Sequence, residues 1–302
     1  MYYAGKEKHA EELPDFDAIW NYSKPDKTEE KFREILTKAE TSGKISYYGQ
    51  LLTQIARSEG LQGKFTEAHK TLDKVKLLIN PNLKPVEIRY LLERGRLFNS
   101  EKTPEKARPL FIKAFELGQK AKLDFYAIDA AHMLGIAENK MEDQLKWNEK
   151  AIELSEKTSD PKAKKWLSSL YNNVGWTYHD NEQYEKALDF FSKNVEWHEE
   201  KNNTDGLLIA RWAVARTFRS LNQIDVAIQI HNLLLKEIEE KNLEEDGYIY
   251  EELGACYLLK QNEEEARKNF ALAYALLSKD NWLQTNEPEK LERLKLLAGI
   301  KN

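Results

Sequence analysis

A small residue recurs along this 302-residue chain at an almost constant distance: Ala56, Gly95, Gly135, Gly175, Ala215 and Gly254, separated by 39, 40, 40, 40 and 39 residues. A fixed period of this size marks a chain built from one supersecondary unit stacked on copies of itself. Twelve residues after five of the six stands a second small residue, Ala68, Ala107, Ala187, Ala227 or Ala266, whereas the third unit has Trp147 there. Around the first landmark the apolar residues fall at helical spacing, as in Tyr171, Val174, Gly175, Tyr178 and again in Tyr250, Leu253, Gly254, Tyr257. Beyond a polar turn, Ala187, Phe191 and Val195, or Ala266, Phe270 and Ala273, make a second apolar face of the same period. Each unit therefore reads as two antiparallel helices. A Gly or Ala lets the two backbones approach closely, and the ring at Phe111, Phe191 or Phe270 is expected to fill the space beside it.

Composition agrees with helices: 41% hydrophobic and 32% charged residues, with only 13 Gly and 8 Pro to build the turns of a sheet protein. The fold expected is all-α, a single domain with six helix-turn-helix repeats over residues 44–283 and helical caps that cover the ends. Residues 1–43 form a degenerate leading half repeat, with Asp26–Glu30 opening a helix that carries Phe32, Ile35, Leu36 and Ala39 and closes near Gly43. A short apolar stretch with Phe16, Ile19 and Trp20 precedes it. Residues 284–302 form the other cap, where Asn286-Glu287-Pro288 start a helix with Leu291, Leu294 and Leu297, and Trp282 is expected to close the joint.

The succession aromatic, two spaces, Leu-Gly, two spaces, Tyr, then Ala, three spaces, Phe resembles the tetratricopeptide repeat family. The fourth and sixth repeats match best. Leu91, Gly95, Phe98, Ala107 and Phe111 match in the second, and the first and fifth keep the small residues with Leu52, Leu72 and Phe218. The third departs most, since Met141-Glu142-Asp143-Gln144 stands where the turn should be. The period exceeds the family's usual length of about 34 and is similar to the longer variant of bacterial peptide-sensing regulators and kinesin light chains. The resemblance implies a right-handed α-α superhelix and a scaffold that binds another protein.

Other classes are poorly supported. A net charge of −5 supplies no global field for nucleic acid or an anionic membrane. The single cysteine, Cys256, permits no intramolecular disulfide framework and is expected to pack in the core. Phosphate loops, paired metal-binding histidines, nucleophile elbows and cysteine pairs are all absent, so no cofactor, metal or catalytic group is expected. With no secretory or membrane-spanning run, the expected location is the cytoplasm.

The candidate site is the face made by the first helix of each repeat. Residues six and three before each small landmark, and one and four after it, form a stripe. Its chemistry-bearing members are Arg57, Arg89, Arg96, Asn99, His132, Asn172, Trp176, His179, Trp212, Arg216, Arg219 and Tyr248. Five are Arg and none is Lys, although Lys outnumbers Arg by about three to one in the chain. A planar guanidinium forks onto a carboxylate or phosphate and tolerates partial burial better than an ammonium. Asn side chains pair with the backbone of an extended peptide, and Trp and Tyr offer flat apolar area. The expected partner is another protein or peptide, through an acidic or C-terminal segment. In this the face is similar to the family's carboxylate-clamp members, although their Lys positions have no counterpart here.

Other readings stay open. The arginines pair internally with neighbours such as Glu93, Asp129 or Glu251, or the tryptophans pack as core. A regulatory receptor for a small peptide or anionic metabolite would use His132 and His179. An enzyme would use Asn172, His179 and Arg216, and an RNA-binding surface would use the arginines and rings. The protein's own N-terminal segment, with Tyr2, Tyr3, Glu11 and Glu12, also has the composition to fill the groove.

Overall fold

Helices occupy the apolar-periodic stretches, and the repeat is visible in how they end. The structure, a computed structural model, describes residues 12–300. After a 3-10 turn at Phe16–Ile19 come α1 (Pro25–Thr41), α2 (Ile45–Leu61), α3 (Phe65–Leu78), α4 (Lys84–Ser100), α5 (Pro104–Ala121), α6 (Asp124–Ala137), α7 (Met141–Lys157) and α8 (Pro161–Lys164). Then follow α9 (Trp166–Asp180), α10 (Tyr184–Glu200), α11 (Thr204–Ser220), α12 (Ile224–Glu240), α13 (Gly247–Leu259), α14 (Glu263–Leu277), α15 (Asn281–Asn286) and α16 (Pro288–Leu297). No strand occurs among the described residues. The chain divides into two compact units, Met1–Trp166 and Leu167–Asn302. The first holds helix pairs α2/α3, α4/α5 and α6/α7, and the second holds α9/α10, α11/α12 and α13/α14.

Five of the six intra-repeat turns are the same. Seven residues after the small landmark the chain enters the left-handed region, at Gly63, Lys102, Glu182, Asn222 and Gln261, with φ between 59° and 74°. The amide two residues beyond the first helix's cap then donates back five residues, as in Thr103 N to Phe98 O at 2.8 Å and Gln183 N to Tyr178 O at 2.9 Å. This satisfies a carbonyl that the helix end would otherwise leave orphaned. The third repeat lacks the turn: α6 ends on Glu138 in an extended conformation (ψ 148°), and Met141-Glu142-Asp143-Gln144 is the first turn of α7. Its second helix starts three residues early relative to the others.

The small landmarks do meet the rings. A β-carbon on Gly175 would lie 2.6 Å from Phe191 Cδ1 and 2.8 Å from Cζ, and one on Gly254 would lie 2.7 Å from Phe270 Cδ1. Gly95 stands likewise against Phe111. Phe111 and Phe191 are fully buried. Size at the two positions is matched. Where the landmark is Ala, the residue sixteen further on is Leu72 or His231, smaller than Phe and also fully buried. In the third repeat the early start of α7 puts Asn148 in the ring's place, where a β-carbon on Gly135 would lie 2.7 Å from its Nδ2. The Ala counterpart there is Gln144 rather than Trp147, whose ring packs edge-on against Phe115.

In the first unit, Phe16, Phe32, Leu51, Ile55, Leu72 and Val86 share one core, with Ile19, Trp20, Ile35 and Leu36 packed against it. In the second, Phe270, Leu277, Leu283, Leu291 and Leu294 share a core with Leu297. Leu283, fully buried, closes the joint before α16, while Trp282 is 59% exposed. Asp280 caps a short helix, α15, through the amides of Trp282 and Leu283, and on that helix Leu283 takes the core-facing position while its neighbour Trp282, about 100° away around the axis, faces outward. Cys256 is buried, and burial, with Glu252 nearby, pushes its thiol up to about 12. Among the described residues no helix is long and apolar enough to cross a membrane.

Candidate functional site

The stripe residues fall on first helices: Arg57 on α2, Arg89, Arg96 and Asn99 on α4, His132 on α6, Asn172, Trp176 and His179 on α9, Trp212, Arg216 and Arg219 on α11, and Tyr248 on α13. Tyr2, Tyr3 and Glu11 lie outside the described residues.

In the first unit the arginines knit α2, α4 and α6 together. Arg57 donates to Glu93 Oε2 at 3.2 Å, Arg96 donates to Glu93 Oε1 at 2.8 Å and to Asp129, and Arg89 donates from Nε to Tyr126 Oη at 2.9 Å. Glu93 and Asp129 are 5% exposed, so this is a desolvated network in which each charge depends on its partner. Burial opposes the charge of Arg96, but Asp129 and Glu93 raise its pKa. Burial pushes the His132 imidazole down to about 4, against Asp129 and with Arg96 and Arg57. The ring packs at 4.9 Å on Trp166. His132 is thus neutral at physiological pH. Asn99 is half-buried at the end of α4.

In the second unit the balance differs. Arg216 and Arg219 both donate to a single carboxylate, Glu252, which is 2% exposed. Burial opposes its charge, and the two guanidiniums, Arg219 most, hold its pKa below the ordinary value. Two guanidiniums thus share one hydrogen-bonded carboxylate, with Glu251 adding a smaller electrostatic pull on Arg219. Arg216 lies 5.7 Å from the ring centres of both Trp176 and Trp212, and its side chain is 34% exposed. Trp176 and Trp212 lie 6.0 Å apart and Trp212 and Tyr248 6.3 Å. These rings form a half-buried row across α9, α11 and α13. The Trp212 indole donates to the Tyr248 carbonyl at 3.3 Å, and the rings rest on the cores beneath. His179 pairs with Ser220 Oγ at 3.0 Å and is lowered in pKa first by burial, then by Arg216. Asn172 is half-buried on the same helix.

Sequence reasoning named Glu93 and Asp129 as internal partners, and both serve. It also named Glu251, which instead pairs with Lys290 and Arg293 of α16. One residue on, about 100° around the helix, Glu252 faces α11. Two features went unrecognised: the sharing of Glu252 by Arg216 and Arg219, and the cradle around Arg89. The spacing held a signal for the first, since Arg216 and Glu252 are 36 apart, one repeat less one helical turn. A groove of about 780 Å³ among Val195, Val214, Ile230, Leu233 and their charged rim lies on α10, α11 and α12, and no stripe residue lines it. No group of three or more His, Cys, Asp or Glu among the described residues is placed to hold a metal.

Residues 168–199, most of α9 and α10, match the family model described as tetratricopeptide repeat. Among solved structures the chain is similar to the apo form of RapI, at 15% identity over 88% of this chain and 76% of that one, with a TM-score of 0.66. It is similar to a Signal Transduction ATPase with Numerous Domains with a tetratricopeptide repeat sensor from Pyrococcus horikoshii, at 15% identity and a TM-score of 0.65, covering 88% of this chain and 42% of that one. The chain therefore spans less than half the length of that protein. Aspartyl phosphate phosphatase F from Bacillus subtilis aligns at 12% identity over 93% of this chain and 70% of that one, with a TM-score of 0.58. No curated protein sequence matches the chain. At these identities the likeness is one of fold.

Proposed function

We propose that this chain, whose residues 168–199 match the tetratricopeptide repeat model and whose fold is similar to that of a tetratricopeptide repeat sensor, is a non-enzymatic scaffold holding an extended, anionic segment of a partner protein on the α9–α11–α13 face. The observation that carries this reading is the pair of guanidiniums, Arg216 and Arg219, sharing Glu252 beside the Trp176–Trp212–Tyr248 row. A partner carboxylate supplies this pair with a second hydrogen-bonded anion, in a partly desolvated place where a charged hydrogen bond is strong. The rings take the apolar side chains on either side of it. In the first unit, by contrast, Arg57 and Arg96 already have Glu93 and Asp129, so they serve mainly to hold the helices together.

The test is selection from a synthetic peptide library on wild type and on Arg216→Ala, at low and high salt. Enriched peptides should be acidic, weaken with salt, and bind Arg216→Ala about tenfold less well. Enrichment of uncharged peptides, or indifference to Arg216, refutes the reading.

A further inference from the structure

Residues 13–22 lie across the first helices of the first unit. The Tyr47 hydroxyl donates to the Pro14 carbonyl at 2.6 Å, and the Phe16 ring packs edge-on against Tyr47 at 5.0 Å. Asp17 accepts from Arg89 Nη2 at 2.6 Å while the same guanidinium lies 5.3 Å from the Phe16 and Tyr126 ring centres. The Trp20 indole donates to Gln54 at 2.9 Å, and Tyr22, stacked on Trp20, lies over Arg57. Apart from one 3-10 turn the segment has no regular structure of its own. Its side chains make the contacts expected of a bound peptide, two aromatic anchors and a carboxylate between them.

Arg89 is the deciding residue. Arg57 and Arg96 take their carboxylates from α4 and α6, whereas the carboxylate paired with Arg89 among the described residues is Asp17 of the overlying segment. The helices thus build a cationic, aromatic-walled cradle and leave its anion to be supplied from outside them. With residues 13–22 in place, the space left between Asp17, Tyr22, Arg57, Arg96 and Trp166 is about 90 Å³, room for a few waters and for no peptide.

We infer that the α2–α4–α6 face is a second peptide-binding surface, selective for an aromatic residue followed directly by an acid and by a second aromatic about one helical turn later, and that Phe16, Asp17 and Trp20 are its occupant in cis. This goes beyond the reading of the α9–α11–α13 face and depends on Arg89 rather than Arg216. A segment tethered next to its own site is present at an effective concentration of about millimolar, so an outside peptide competes poorly until the cis segment is weakened.

The probe is a fluorescein-labelled peptide of residues 12–23, with an Asp17→Asn version as its control, titrated into the full chain and followed by anisotropy. Wild type should bind it weakly, and Phe16→Ala/Asp17→Ala, with helicity unchanged by circular dichroism, about tenfold or more tightly. Adding Arg89→Ala to that variant, or using the control peptide, should abolish the gain, whereas adding Arg216→Ala should leave it intact. Because Phe16 belongs to a core, Asp17→Asn alone serves as the second variant: it keeps the ring and removes only the charge. If either folded variant binds the peptide no better than wild type, the segment is a structural strap and the inference fails, with the α9–α11–α13 reading untouched.

Discussion

Replacing Gly175 by Ala tests the packing rule on which the repeat is built. The added methyl would sit within 2.6 Å of Phe191 Cδ1, where ordinary contact begins at 3.4 Å, so the ring must move by most of an ångström in a place where it is fully buried. Overpacking of this kind costs about 1–3 kcal/mol, while the better helix propensity of Ala returns about 1 kcal/mol. The net expectation is a loss of about 1 kcal/mol. Phe191→Leu alone leaves a cavity and costs about 1–2 kcal/mol. Together the two changes reproduce the Ala56/Leu72 pair of the first repeat, so their effects should cancel in part, with a coupling of about 1–2 kcal/mol. Urea unfolding followed by circular dichroism measures this, with a constant m-value as the check that cooperativity is unchanged. Repeat arrays can unfold in segments, so hydrogen exchange of the α9 and α10 amides supplies the local value. A double variant destabilised by the simple sum of the singles, or a Gly175→Ala protein more stable than wild type, would refute the reasoning.

Arg96→Ala strands Asp129 in the interior and should cost about 3 kcal/mol, whereas Arg216→Ala leaves Glu252 paired with Arg219 and should cost about 1 kcal/mol or less; thermal unfolding compares them. His231 occupies a ring position with neither nitrogen hydrogen-bonded, and His231→Leu, which recreates the Ala/Leu pairing, should stabilise by about 1 kcal/mol. Burial above all lowers this imidazole from 6.5 to about 4, so between those pH values the unfolded chain binds a proton that the folded chain refuses. Stability therefore falls as pH drops through that window, by on the order of 3 kcal/mol, and His231→Leu should flatten the slope of a urea-midpoint series in pH. Lys102, Glu182 and Gln261 hold φ near 59°, and Gly at any one of them should raise the unfolding free energy by about 0.5–1 kcal/mol, seen as a higher urea midpoint at unchanged m-value.

The regular repeats were legible because one small residue and one ring leave a strong periodic mark, and Gly95/Phe111, Gly175/Phe191 and Gly254/Phe270 pair as their spacing implies. The third repeat was not, for a backbone reason. Losing the left-handed turn moves α7 by three residues, so counting from Gly135 lands on Trp147 when the equivalent positions are Gln144 and Asn148. The turns themselves were half hidden, since Gly63 and Asn222 favour a positive φ while Lys102, Glu182 and Gln261 give no such sign. The helical face of the candidate site could be read from periodicity, but its charge state could not. Whether Arg216 meets Glu251 or Glu252 is decided by one residue's rotation, and the apposition of Asp17 to Arg89, 72 residues apart, has no periodic trace at all.

The matched sizes at the landmark and ring positions bear on how such a chain can change over time. Both members of each pair lie in the same repeat, sixteen residues apart or thirteen in the shortened one. Copying or deleting a whole repeat carries lock and key together, while altering either member alone passes through a strained or hollow intermediate. Descendants of this chain should therefore differ more readily in how many repeats they possess than in which partner residue any one repeat uses. Where a pairing does change, both substitutions should be found together in the same lineage.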